Sequence, residues 1–130
     1  MTYEETLHYL YTSIPVFQHS GASAYKPGLG TSIALDDYLG NPHKAYKTIH
    51  VAGTNGKGSV SHLLAAILRQ SGFKVGLYTS PHLVDFRERI RVNGKKISQD
   101  YVVDFVERHR SFFEPLHPSF FELTSSICLL

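Results

Sequence analysis

Thr48-Ile-His-Val-Ala-Gly-Thr-Asn-Gly-Lys-Gly-Ser59 is the stretch that decides the fold of this 130-residue chain. Thr48 to Ala52 read as a short buried strand. Gly53 to Gly58 follow as a flexible turn with three glycines and one lysine. From Ser59 onward Val60, Leu63, Leu64, Ile67 and Leu68 recur at helical spacing. Strand, glycine-rich turn and helix, in that order, describe a loop that cradles phosphate. Glycines let the main chain come close to an anion, the helix start aims unpaired amides at it, and a lysine offsets its charge. The candidate nucleotide-binding residues are Gly53, Thr54, Asn55, Gly56, Lys57, Gly58 and Ser59. The spacing departs from the general phosphate-loop pattern, which has glycine at Val51 and a hydroxyl directly after the lysine; here Gly58 separates Lys57 from Ser59. The competing reading is a tight turn before a helix with its lysine in solvent. The strand–turn–helix context and the composition favour phosphate.

Moving outward, Gly72 closes the helix, and Phe73, Val75 and Leu77 then alternate with Lys74, Gly76 and Tyr78 at strand period. Strand, helix and strand within about thirty residues predict a βαβ unit with parallel strands and a right-handed crossover. In such sheets ligands sit beyond the carboxyl ends of the strands, so Thr79-Ser80-Pro81-His82 is expected at the same crevice as Lys57. The fold class is α/β: a phosphate-loop-containing, mainly parallel sheet with flanking helices. Toward the N-terminus, Thr2 and Glu5 stand at capping-box spacing before a helix lined by Leu7, Leu10, Tyr11 and Ile14 and stopped by Pro15. Gly21 to Gly30 form an irregular loop, and a shorter helix with Ile33, Leu35, Tyr38 and Leu39 closes at Gly40 and Pro42. Toward the C-terminus, a charged loop (Asp85, Arg87, Glu88, Arg89) leads into a hairpin turning at Asn93-Gly94. Its basic residues either steer an anionic substrate or form a solvated edge. Ser98 caps a helix with Val102, Phe105, Val106, His109 and Phe113 on one face, broken by Pro115 and Pro118. Ser119 and Glu122 open another at capping-box spacing, which gives Glu122 a structural role. That helix runs into Ile127, Leu129 and Leu130 without a stop signal.

Composition bounds the rest. Hydrophobic content of 42% and charge of 18% suit one soluble globular domain. A net charge of +2 argues against nucleic acid or a membrane surface as partner. Cys128 is the single cysteine, so no internal disulfide forms and a reducing cytoplasm is the expected location. Neither a signal peptide nor a spanning segment is present. None of the eight histidines makes a metal-ligand pair. His62 reads as packed or solvated, His50 as a core or edge residue, and His82 as a loop organiser or proton-transfer group.

Three motifs in order resemble one family: Val51-Ala-Gly-Thr-Asn-Gly-Lys-Gly-Ser59, Tyr78-Thr-Ser-Pro-His-Leu83 and Glu88-Arg-Ile-Arg-Val-Asn-Gly94. They are similar to the folylpolyglutamate synthase and dihydrofolate synthase family, of the Mur-type ligases, over about Gly28 to Leu130. The glycine between Lys57 and Ser59 is that family's own habit. The resemblance implies an ATP-dependent amide ligase: ATP phosphorylates a substrate carboxylate, and the amino group of L-glutamate displaces phosphate from the acyl phosphate. It implies ATP and Mg2+ as cofactors, with folate or dihydropteroate as acceptor. Carried over residue by residue, Gly56 to Ser59 wrap the ATP phosphates, with Lys57 on the β- and γ-phosphates as the catalytic cation. Ser80 and Glu122 ligate magnesium, which favours hard oxygen donors and keeps several waters. Gly28, Leu29, His82, Leu83, Asp85, Phe86 and Arg87 shape the pteroate or folate pocket, with the loop Lys26-Pro-Gly-Leu29 contributing. After Leu29 this chain has Gly30-Thr31 where many family members have Glu-Arg. Family members are also much longer, with a further histidine metal ligand, a carbamylated lysine and a separate C-terminal glutamate-binding domain that have no counterpart here. The chain is therefore expected to be the front part of the ATP-binding domain, inactive alone, self-associating through apolar residues near Ile127 to Leu130, and monomeric at full length. A small-molecule kinase and a non-catalytic nucleotide-binding module are the two alternatives.

Overall fold

Thr2 starts the first helix by a reciprocal pair of bonds: its Oγ1 accepts the Glu5 amide at 3.1 Å, and the Glu5 carboxylate accepts the Thr2 amide at 2.7 Å. The helix is α1 (Tyr3–Ser13) in the computed structural model, which describes residues 1–14 and 28–130. Most of the loop expected at Gly21 to Gly30, including Lys26 and Pro27, lies outside the described residues. The chain divides into two units, Met1–Tyr46 with Gln99–Leu130, and Lys47–Ser98.

The first unit is helical. In α1 Thr6, Tyr9 and Leu10 are buried and Leu7 and Tyr11 half-buried, which places one stripe inward. Helix α2 (Gly30–Tyr38) begins inside the expected loop and buries Leu35 while Ile33 stays outside. Asn41 at φ 52° turns the chain into a short 3-10 segment, Pro42–Ala45.

Helix α4 (Gln99–Phe113; α3 belongs to the second unit) buries Val102, Phe105, Val106 and Phe113, the face its spacing predicts. His109 rests against Phe105, ring centroids 4.8 Å apart. Helix α5 (Phe120–Leu129) opens on the Ser119 capping box and buries Phe120, Leu123 and Ile127. Ile127, expected on an exposed apolar end, is fully enclosed, because α5 packs on α2 and its deep side belongs to the core. Leu130 is 52% exposed.

The second unit holds α3 (Lys57–Gln70), β1 (Gly76–Tyr78), a 3-10 turn Phe86–Arg89, β2 (Ile90–Val92) and β3 (Lys95–Lys96). A Schellman-type end stops α3, with Gly72 N–H donating to Arg69 O and Phe73 N–H to Leu68 O, both at 3.1 Å. The sheet order is β1-β2-β3 and both pairings are antiparallel, with Gly76 opposite Val92 and Tyr78 opposite Ile90.

This corrects the expected parallel pairing. Residues 48–52 form no strand, and all but Val51 are exposed. The reason is local. Asn93 and Gly94, at φ 51° and 79°, make a two-residue hairpin with both central residues left-handed, so β2 and β3 pair at once. Strand β2 then takes one edge of β1, which stands at the outside of the sheet, and residues 48–52 form no ladder on its other edge. Helix α3 also leaves its apolar side open, with Leu63 64% and Ile67 61% exposed. No described helix is long and apolar enough to cross a membrane.

Candidate functional site

At the start of α3 the chain turns through Gly56, φ 77°, a left-handed conformation that glycine adopts without a Cβ penalty. No side chain caps the helix, and its first internal bond runs from Val60 N–H to Gly56 O, so the amides of Lys57, Gly58 and Ser59 precede the helical ladder. A Cβ at Gly56 or Gly58 would meet nothing within 4 Å, which leaves the backbone approachable from outside. Lys57 folds back over the turn, donating from Nζ to Gly53 O at 2.5 Å and to Thr54 O at 3.4 Å. All seven candidate residues from Gly53 to Ser59 are exposed. Unpaired amides, the positive end of a 14-residue helix and a cation thus share one open turn.

Ser80 follows β1 and is exposed, in a cis peptide with Pro81. The argument that placed it near Lys57 rested on parallel strands, and that premise does not hold in this sheet. The segment after it is rigidly built. Asp85 caps the Phe86–Arg89 turn, and the Glu88 carboxylate accepts the amides of Leu83, Val84 and Asp85 at 3.0, 3.1 and 2.7 Å. These backbone bonds hold Glu88 down to a pKa of about 2. Burial pushes the Asp85 carboxyl up, but the backbone and side-chain bonds from Arg87 and the ammonium of Lys96 outweigh it and hold it well below the ordinary carboxylate range.

The charges of this loop neutralise one another and tie the backbone, while the hairpin's basic residues Lys95 and Lys96 stand exposed at the edge. His82 is half-buried, its Nδ1 accepting from Arg89 Nε at 2.7 Å, and burial followed by the Arg89 charge lowers its pKa. Phe86 is buried beneath it, whereas Leu83 and Val84 stand 91% and 90% exposed. His50 is exposed rather than a core residue, and His62 is exposed on α3.

Glu122 belongs to the other unit. One carboxylate oxygen accepts the Ser119 amide at 2.8 Å, the other the Ser32 hydroxyl at 3.1 Å. Both structural bonds are present, and each carboxylate oxygen retains a further lone pair. Glu122 lines a cleft of about 240 Å³ with Leu29, Ser32, Asp36, His43 and Leu129 among its walls. Leu29 and Glu122, named from separate motifs, therefore share one cavity, and Gly28 directly precedes Leu29 with φ 83°. Ser32 and Arg89 were not legible as site residues: their partners are 90 and 7 positions away, and no short motif marks either pairing. Among the described residues no three His, Cys, Asp or Glu side chains gather as metal ligands.

A helical unit, and a second unit in which a glycine-rich turn opens a helix that packs on a small sheet, define an α/β chain. No protein-family model matches it. It is 39% identical over 111 residues to the dihydrofolate synthase/folylpolyglutamate synthase of Bacillus subtilis, covering 81% of this chain and 26% of that protein. The crystal structure of folylpolyglutamate synthase from Thermotoga maritima superposes with a TM-score of 0.84 at 43% identity, over 98% of this chain and 29% of that one. A complex of folylpolyglutamate synthase with AMPPCP and folate matches with a TM-score of 0.81 at 31% identity, over 99% and 32%. The chain belongs to the folylpolyglutamate synthase/dihydrofolate synthase family and spans about a third or less of the length of these relatives.

Proposed function

We propose that this chain forms the phosphate-binding part of an ATP-dependent ligase that joins L-glutamate to folate or dihydropteroate. The observation that carries the reading is the opening of α3: a left-handed Gly56, three amides ahead of the helical ladder and Lys57 on the same turn. A relative solved with AMPPCP and folate supports it.

In this reading Gly53 to Gly58 let the backbone close on the nucleotide phosphates, and the amides of Lys57, Gly58 and Ser59 donate to phosphate oxygens. Lys57 exchanges the carbonyls of Gly53 and Thr54 for the β- and γ-phosphates, where it offsets charge that develops as the phosphoryl group moves. The rigid loop from His82 to Arg87 and the cleft beside Gly28 and Leu29 orient the pteroate portion. The exposed Ser80 hydroxyl and the Glu122 carboxylate are hard oxygen donors suited to Mg2+, and the lone pairs left on Glu122 by its cap make the two roles compatible. Bound there, magnesium would neutralise phosphate charge. The protein works in the cytoplasm on small molecules, as a monomer, without nucleic acid or membrane partners.

The test is the full-length protein with ATP, Mg2+, labelled glutamate and each pteroate acceptor. The expected products are a glutamyl conjugate, ADP and phosphate. Phosphate transfer that needs no glutamate would replace this reading with a kinase, and nucleotide binding without turnover would reduce it to a binding module. The 130 residues alone are expected to form no conjugate. Fixing acyl phosphate and amine together contributes on the order of 7–11 kcal/mol in favourable cases, and these residues span about a third or less of the length of the relatives they match.

A further inference from the structure

Helix α3 carries the phosphate turn at one end, yet no side chain along its 14 residues is fully buried. Leu64 and Leu68 are only half-buried, so packing on β1 is a weak constraint and a further contact helps to set its direction. At the opposite end Arg69 Nη1 donates to Asn93 O at 2.8 Å, at the tip of the β2–β3 hairpin. The guanidinium lies directly over the turn: a Cβ at Gly94 would fall 1.8 Å from Arg69 Nη1 and 3.0 Å from its Cζ. Asn93 is itself fixed to the strand side, its amide donating to Val75 O and its Oδ1 accepting the Val75 amide, both at 2.8 Å. Arg69 is also a cation in the last turn of a helix, where it meets the negative end of the macrodipole.

We propose that Arg69 and the Asn93–Gly94 turn form a positioning lock that aims the phosphate turn from the far end of α3. Arg69 is a positioning residue for the nucleotide site, and the argument rests on the phosphate reading given above. The lever is long: 14 residues span about 21 Å. With the phosphate turn as pivot, a hydrogen bond that tolerates about 0.5 Å at the other end of such a rod holds its axis to within about 1.4°. The leading amides of Lys57, Gly58 and Ser59 point along that axis, so their aim at an anion follows its direction. Glycine at 94 serves the hairpin and also makes room for the guanidinium, which ties the turn chemistry to the binding site.

The experiment uses the full-length protein with Arg69→Met, which keeps most of the aliphatic stem and removes the donors, and Arg69→Lys, which restores a charge. Two quantities are read: amide hydrogen exchange at residues 60–63, the first bonded amides of α3, in the free protein, and the Kd of AMPPCP with Mg2+. In Arg69→Met, exchange at residues 60–63, the first amides bonded in the helix, should quicken by about tenfold while the β2–β3 amides keep their protection. The Kd should rise by about 3- to 10-fold, with partial recovery in Arg69→Lys. Gly94→Ala strains the left-handed turn in either background, so it should raise the Kd in the parent by more than in Arg69→Met, where the guanidinium it would displace is already gone. Unchanged exchange at residues 60–63, with loss confined to the hairpin or a lowered Tm alone, would make Arg69 a hairpin clamp and overturn the proposal. Failure of the parent to bind AMPPCP would instead count against the phosphate reading, and the exchange measurement would still decide the lock.

Discussion

Replacing Lys57 by alanine tests the phosphate turn with little risk to the fold. Among the described residues the ammonium bonds the Gly53 and Thr54 carbonyls, both in an exposed turn, so water takes its place once it is gone. A net intramolecular bond of that kind is worth about 0.5–1.5 kcal/mol, and exposure puts this pair at the low end. With nucleotide bound, the same ammonium makes a charge-assisted bond to phosphate worth about 1.5–3 kcal/mol. Its loss should raise the Kd about 10- to 150-fold. Calorimetric titration of the full-length variant with AMPPCP and Mg2+ reads that ratio directly, and a melting curve beside it reports the fold. Because the contact is ionic and exposed, the gap between parent and variant should narrow as salt is raised. A Kd within twofold of the parent at low salt would sink the assignment of Lys57 to phosphate.

Ser80→Ala and Glu122→Gln should each raise the magnesium concentration needed for half-maximal activity of the full-length protein. Glutamine retains an acceptor for the Ser119 amide, so a fall in Tm at unchanged magnesium dependence would leave Glu122 only its capping role. Asp85 and Glu88 both titrate below the ordinary carboxylate range when folded, so their stabilisation is complete above about 4.5 and disappears as pH falls toward about 2. The amides of Leu83 to Asp85 should lose exchange protection across that window, and Glu88→Gln should flatten the dependence. An unaltered profile in that variant would place the titration elsewhere. Leu123→Ala, at a side chain with no exposure in the α5 core, should cost about 2–5 kcal/mol in urea unfolding. A loss below about 1 kcal/mol would contradict the packing described for the helical unit.

The parts visible from sequence are those whose partners lie three or four residues away. Thr2 with Glu5, Ser119 with Glu122, the Gly72 stop and the Asn93-Gly94 turn are each complete within a few positions, and each forms as its spacing implies. The buried face of α4 is legible for the same reason, since period alone determines it. Strand partnership is not local. Phe73 to Tyr78 carry a strand pattern, but which edge they offer depends on the hairpin that follows, and β2 claims it. Apolarity at residues 48–52 likewise says nothing of what will cover them. For the charged run from Asp85 to Arg89, composition cannot distinguish solvated charges from charges spent on three backbone amides and a histidine. In the site, the glycine-rich turn declares itself by residue type, whereas Glu122 as a metal ligand followed from family resemblance and its contact with Ser32 from neither.

The helical unit is discontinuous in the chain, made from residues 1–46 and 99–130 with the sheet unit inserted between them. During synthesis α1 and α2 leave the ribosome first, but the helices they pack on, α4 and α5, are not yet made. At about 5–20 residues per second, the intervening stretch of roughly 50 residues imposes a wait of about 3–10 seconds. Leu10, Ile14 and Leu35 are solvent-facing throughout that interval, although each is buried in the finished unit. The sheet unit has no such wait, because its contacts close within one continuous stretch. Vectorial synthesis therefore finishes the phosphate turn before the unit that holds Glu122, and the early apolar helices are where a chaperone would bind the nascent chain.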